Sequence, residues 1–232
     1  MRSLGLPGYY HLALFGVLLP YVAIRSGSVL KSRALPTPKA RYFIRQIVTL
    51  AVLGGISVGI ARVVGIPLFP RELPPARSVA LGAAILVALV VLMRPRWRRR
   101  VAERSRNAWL FMPRTPRERL LWAGCSLAAG ISEEITYRGV MFALLWWMTG
   151  HALTAALIAA AVFSISHFLQ GWTSMAIIFA IALSMQMLAW TSGSLYIGMA
   201  VHALYDLAAG LFYGAYGEKL DYPLDPLPPE PA

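Results

Sequence analysis

The chain has 232 residues, 58% of them hydrophobic and only 14% charged, with a formal net charge of +12. Soluble domains carry about a quarter charged residues, so a water-soluble globule is excluded as the main architecture. The positive charge lies between apolar stretches rather than along one polar face, which argues against nucleic acid as a partner and for membrane orientation.

In chain order, hydropathy predicts an all-α, polytopic transmembrane helix bundle of about seven spans, near 9–24, 46–64, 78–93, 132–148, 152–168, 174–191 and 195–213. The first run lacks a clear small-residue cleavage site and is followed by basic residues, so it reads as an anchor and not as a signal peptide. In the second span Gly55 and Gly59 form a G-x-x-x-G that lets helices approach closely, more simply within the bundle than in a dimer. The apolar piece Arg119 to Ile131 is too short to cross alone and reads as re-entrant, interfacial or the start of a kinked helix. Its Cys125 is the only cysteine and reads as a packing residue, leaving no disulfide framework. The end of the chain, rich in proline and acid, predicts a disordered tail. The expected division is 1–118, membrane spans with basic linkers; 119–214, a helical core; and 215–232, the tail.

Sidedness follows from arginine and lysine. The linker Arg25 to Arg45 carries six, the linker Arg94 to Arg119 carries ten, and the linker Arg62 to Arg77 carries three. The positive-inside bias then puts the N-terminus outside and the two rich linkers in the cytoplasm, where they can also touch anionic lipid heads. Arginine outnumbers lysine by 19 to 3, which points to a GC-rich bacterial genome, and the expected location is a bacterial inner membrane.

Ionisable groups at bilayer depth are costly, about 2.5 to 3.5 kcal/mol each on insertion scales, so their clustering asks for an explanation. Three sets occur. Ser132-Glu133-Glu134-Ile-Thr-Tyr-Arg138 reads as a helix start, with Ser132 as N-cap, both glutamates in the first turn, and Glu134 and Arg138 paired four residues apart. Glu133 then points about 100° away and is left for chemistry. Phe163-x-x-x-His167 closes the next helix. Glu133 and His167 are each 17 residues from Gly150, so an antiparallel hairpin sets them at equal height. His202-x-x-x-Asp206 shares one face of the last span and reads equally as a local hydrogen bond. Helix rise sets His202 about 14 Å and Glu133 about 25 Å from their own turns, a mismatch that loops or tilt must absorb.

The ordered triple E-E-x-x-x-R, F-x-x-x-H, H-x-x-x-D resembles the CPBP (CAAX protease and bacteriocin-processing, ABI) family of glutamic-type intramembrane endopeptidases, over about residues 119–210. The resemblance implies that Glu133, helped by His167, activates water, that His202 and Asp206 stabilise the oxyanion, and that Glu134, Arg138 and Phe163 support the site. Prenyl-protein processing members end the last motif in Asn; Asp206 donates only if protonated and could instead orient His202. The implied partners are membrane lipids and a peptide or protein substrate, with the arginine excess arguing against a prenylated one; oligomeric state is left open. No cofactor is expected, with zinc held by Glu133, His167 and His202 as the alternative chemistry. Other readings are a non-catalytic immunity or peptide-binding protein of the same fold and a proton-coupled transporter.

Overall fold

A computed structural model describes residues 4–32, 35, 37–225 and 228, with residues 28–32 described by their backbone. The described residues are all helical and turn structure without strands, as expected from the apolar runs. The first helical rod comprises α1 (Gly5–Ala13), a π-helical stretch (Leu14–Leu18) and α2 (Leu19–Ser32). Next come α3 (Lys39–Val64) and α4 (Ala76–Ala102). A second composite rod consists of α5 (Pro116–Glu133), a π-helical segment (Glu134–Met141) and α6 (Phe142–Thr149). Then follow α7 (Ala152–Ser166), α8 (Trp172–Ser192) and α9 (Tyr196–Lys219).

Four described helical stretches are long and apolar enough to cross a bilayer: Gly5–Gly27, Lys39–Val64, Ala76–Ala102 and Trp172–Ser192. In α4 only 11% of the most apolar stretch is buried within the protein, so the remainder of that stretch must face lipid. The expected seven spans are not all recovered. The segments that fall short carry the ionisable groups or are brief: α7 has 15 residues, and α9 and the second rod carry charges in mid-helix. The protein is nonetheless a membrane protein by its four apolar helices.

Of the three expectations for residues 119–131, the structure fits the start of a longer helix. These residues lie within α5, which starts at Thr115 and continues directly into the π-helical segment. Thr115 accepts a hydrogen bond from the Glu118 backbone (3.1 Å), Glu118 reaches back to the Thr115 backbone (3.5 Å), and Pro116 opens the first turn. Ser132 therefore is not an N-cap; it is buried inside the rod against Gly54, where a Cβ would stand 2.8 Å from its own. The paired glycines of the G-x-x-x-G, Gly55 and Gly59, face outward with nothing near them, because Gly54 lies on the inner face instead.

At the end where the tail was expected to be disordered from residue 215, α9 runs on to Lys219. Tyr222 is buried, its hydroxyl donating to Ser105 O (3.0 Å) and its carbonyl accepting from Arg114 (2.7 Å). Burial of one aromatic ring and these bonds supply the ordering that composition does not. Of the residues beyond Asp225, all but Pro228 lie outside the described residues.

The site is positioned by three packings. α5 is held between α3 and α9, α4 lies along α9, and α7 pairs with α8 and α6. Gly130 on α5 lets α9 approach its backbone, since a Cβ there would meet Ala203 N and Met199 O at 2.7 Å.

Candidate active site

Glu133 ends α5 and Glu134 opens the π-helical segment. The extra residue per turn changes which side chains share a face, and such segments are frequent at functional sites. Both carboxylates therefore reach α9. Glu134 Oε1 lies 2.9 Å from His202 Nδ1, and Glu133 Oε2 lies 3.6 Å from His202 Nε2. One imidazole edge is thus held by one glutamate while the other nitrogen looks at its neighbour.

The two acids differ in access. The Glu134 side chain is 1% exposed and is paired with Arg138 at 3.3 Å, itself 3% exposed. Glu133 is 19% exposed and lines the cavity. The predicted i,i+4 pair is present, but Glu134 does more than register a helix start: it orients His202, the task considered above for Asp206. Gly198 makes space for it, since a Cβ there would stand 3.2 Å from Glu134 Oε2.

His167 closes α7, and its Nδ1 lies 2.8 Å from Phe163 O. A carbonyl only accepts, so the Nδ1 bears the proton and a neutral ring leaves Nε2 bare. That Nε2 is 4.0 Å from Glu133 Oε2. The equal heights expected from Gly150 are therefore met. Asp206 Oδ2 stands 3.6 Å from His202 Nε2, on the same side as Glu133.

Phe163 sits among these groups. Its ring packs on His167 (4.5 Å) and Tyr137 (4.9 Å), stands edge-on to His202 (6.2 Å), and receives the Arg138 guanidinium at 4.3 Å. With Glu134 it is what holds Arg138 in an apolar interior. The expected difference in depth between Glu133 and His202 disappears because the α8–α9 turn does not dock at the end of α6. Leu195 packs instead near Gly139, about ten residues below Gly150, where a Cβ would lie 3.1 Å from Leu195.

Glu133, Arg138, His167, His202 and Asp206 line one cavity of about 240 Å³. Glu133 and His167 also border a second, of about 260 Å³, between α2, α3 and α7. The sequence reading missed Tyr137, whose hydroxyl lies 3.3 Å from Ser166 Oγ, and a buried chain from His11 to Ser57 (3.3 Å) to Thr136 (2.9 Å). Tyr137 stands four residues after Glu133, a readable spacing; the His11 chain joins helices distant in sequence and left none.

Glu133, His167 and His202 do converge, as the zinc alternative requires. Yet among the described residues no set of three His, Cys, Asp or Glu side chains is placed to hold a metal ion. Glu134 and Phe163 O hold the two Nδ1 atoms, an arrangement also usual for histidines that bind a metal through Nε2, and both Nε2 atoms face Glu133 Oε2, at 3.6 and 4.0 Å.

An acid and two imidazoles gathered in a cavity inside a membrane-embedded helical bundle define a class of site suited to proton transfer and hydrolysis. Residues 115–208, which contain all three motifs, match the family described as type II CAAX prenyl endopeptidase, Rce1-like, of the CPBP group. The resemblance carried by the motifs is thereby borne out over that segment. No curated protein and no solved structure matches the chain.

Proposed function

We propose that the chain is an intramembrane endopeptidase that hydrolyses a peptide bond of a membrane-delivered protein or peptide with a water activated by Glu133 and His167. The observation that carries this reading is the approach of Glu133 Oε2 to both Nε2 atoms, 4.0 Å from His167 and 3.6 Å from His202, within one cavity. Gaps of that size suit a water bridged between an acid and an imidazole.

In the proposed step the water oxygen attacks the scissile carbonyl while Glu133 takes its proton, and His167 Nε2 holds the water through its bare lone pair. The carbonyl oxygen becomes the oxyanion. His202, when it carries both protons, gives the Nδ1 hydrogen bond to Glu134 and turns Nε2–H toward that oxyanion. A protonated Asp206 adds a second donor from the same side. Collapse of the intermediate breaks the C–N bond, and the proton held by Glu133 passes to the leaving amine. Arg138 and Phe163 hold Glu134 and His167 in place and take no proton. No step requires a metal.

The test is cleavage of a panel of quenched fluorescent peptides by the purified protein in lipid nanodiscs. Glu133→Gln and His167→Ala should each lower the rate by roughly 10²- to 10⁴-fold, with unchanged helicity, and chelator treatment should leave the wild-type rate intact. Full activity in either variant removes the assigned roles. Activity lost to chelator and restored by zinc instead selects the metal chemistry, and proton-coupled uptake without cleavage selects the transporter.

A further inference from the structure

The cavity that holds Glu133 and the two histidines is also lined by Arg96 and Arg100 of α4, a helix outside the segment matched to the endopeptidase family. Arg94 to Arg100 reads in sequence as a basic run at a helix end. The helix divides it: Arg98 and Arg99 are exposed, whereas Arg96 and Arg100 turn inward beside buried Trp97. Met93, Arg96, Trp97 and Arg100 recur at helical spacing and all line the cavity.

Both inward arginines meet neutral acceptors. Arg96 Nη2 donates to Ser174 Oγ (3.0 Å). Arg100 donates to Gln170 O (3.0 Å), Ser174 Oγ (3.3 Å) and Ser105 Oγ (3.2 Å). Among the described residues no carboxylate lies within ion-pair distance of either, and Arg96 commits one of its five N–H donors. Two half-buried guanidinium groups without a counter-charge are costly beside apolar walls. Ser174 and Gln170 flank the start of α8, whose N-terminal end adds partial positive charge at the same place. They also follow His167 by only seven and three residues, so this basic corner adjoins the catalytic groups.

We propose that Arg96 and Arg100, with the first turn of α8, form a subsite for a carboxylate of the peptide substrate, so that binding there sets which bond reaches Glu133. This rests on the proteolytic reading for its consequence but not for the binding itself. Planar guanidinium groups suit a carboxylate held by paired N–H bonds. The carboxylate can come from the peptide's C-terminus or from an acidic side chain.

Binding can be read without turnover. Trp97 and Trp122 line the same cavity and report occupancy by fluorescence. The probes are an N-acetylated alanine–valine hexapeptide as free acid, the same peptide as C-terminal amide, and the amide with one internal Asp, titrated onto the Glu133→Gln protein in nanodiscs. The free acid should bind about tenfold more tightly than the plain amide, and this preference should vanish with Arg96→Gln/Arg100→Gln while surviving in the exposed control Arg98→Gln. Equal recovery of affinity by the Asp-bearing amide assigns the carboxylate to a side chain; no recovery assigns it to the terminus. Equal binding of acid and plain amide, absence of binding by all three, or a preference that persists in the double variant overturns the subsite. Failure of the proteolytic reading shows separately, as an absence of cleavage by the unsubstituted protein. With Glu133 intact, the double variant should raise KM for a cleaved acid peptide and shift or scatter the bond that is cut; an unchanged KM with an unchanged cleavage position would also overturn it.

Discussion

Glu133 and Glu134 are neighbours with the same chemistry, and packing assigns them different work. Glu134 is enclosed with Arg138 and His202, while Glu133 reaches the cavity. Removing one partner of a buried ion pair leaves an uncompensated charge and costs about 3–5 kcal/mol. Arg138 makes this acute, since its terminal nitrogens have no hydrogen-bond acceptor among the described residues beyond the Glu134 ion pair. Glu134→Gln should therefore lower thermal stability in detergent by an amount in that range, and Arg138→Met added to it should recover part of the loss. A Glu134→Gln protein that melts with the wild type would show that the pair is not holding the fold. The sequence spacing made the Glu134–Arg138 pair readable. It did not show that Glu134 also holds His202, because that contact depends on where α9 docks.

The second composite rod determines whether the motifs meet. Spacing of four within a helix was legible for Glu134–Arg138, Phe163–His167 and His202–Asp206, and the turn at Gly150 made the Glu133–His167 height legible. Ser132 misled because an acid pair after serine looks like a capped start, while the true start, Thr115-Pro-Arg-Glu118, lies in a charged linker. The π-helical segment was not legible, since nothing in local propensity separates it from α-helix. Likewise G-x-x-x-G pointed to Gly55 and Gly59, whereas the close approach is made at Gly130, on another helix. This yields a contrast. Gly130→Ala places a methyl 2.7 Å from the Ala203 backbone and should cost about 1–3 kcal/mol by forcing α5 and α9 apart, with loss of cleavage. Gly55→Ala meets nothing and should leave both stability and cleavage unchanged. Paired melting and activity measurements decide it, and equal behaviour of the two variants would remove Gly130 from its role.

Across the whole molecule, the linkers sort by charge to opposite ends. Lys39 donates to Met112 O (2.9 Å) and lies over Trp109 (4.1 Å), so the two arginine-rich linkers meet at one end. The poorer linker is at the other, where Phe69 stacks on Tyr196 (6.1 Å) and Tyr196 Oη donates to Pro70 O (3.3 Å). This separation is what the positive-inside bias acts on, and it was readable from arginine counts because charge sorting needs no knowledge of packing. The number of crossing helices was less readable. Hydropathy marks apolar runs but not where the helices that carry them begin and end: Ala152–Ser166 has 15 residues, and the apolar run near 132–148 belongs to a rod that begins at Pro116. The absolute direction is testable because Cys125 is the single cysteine and is buried. In a Cys125→Ala background, exposed Arg117 and Glu72 are replaced in turn by cysteine and treated with a membrane-impermeant maleimide on intact spheroplasts. Glu72→Cys should label at once, and Arg117→Cys only after lysis, if the basic end faces the cytoplasm. The reverse order would place the basic end, and with it Arg96, Arg100 and the approach to Glu133, on the outer side, so that substrate would arrive from outside the cell.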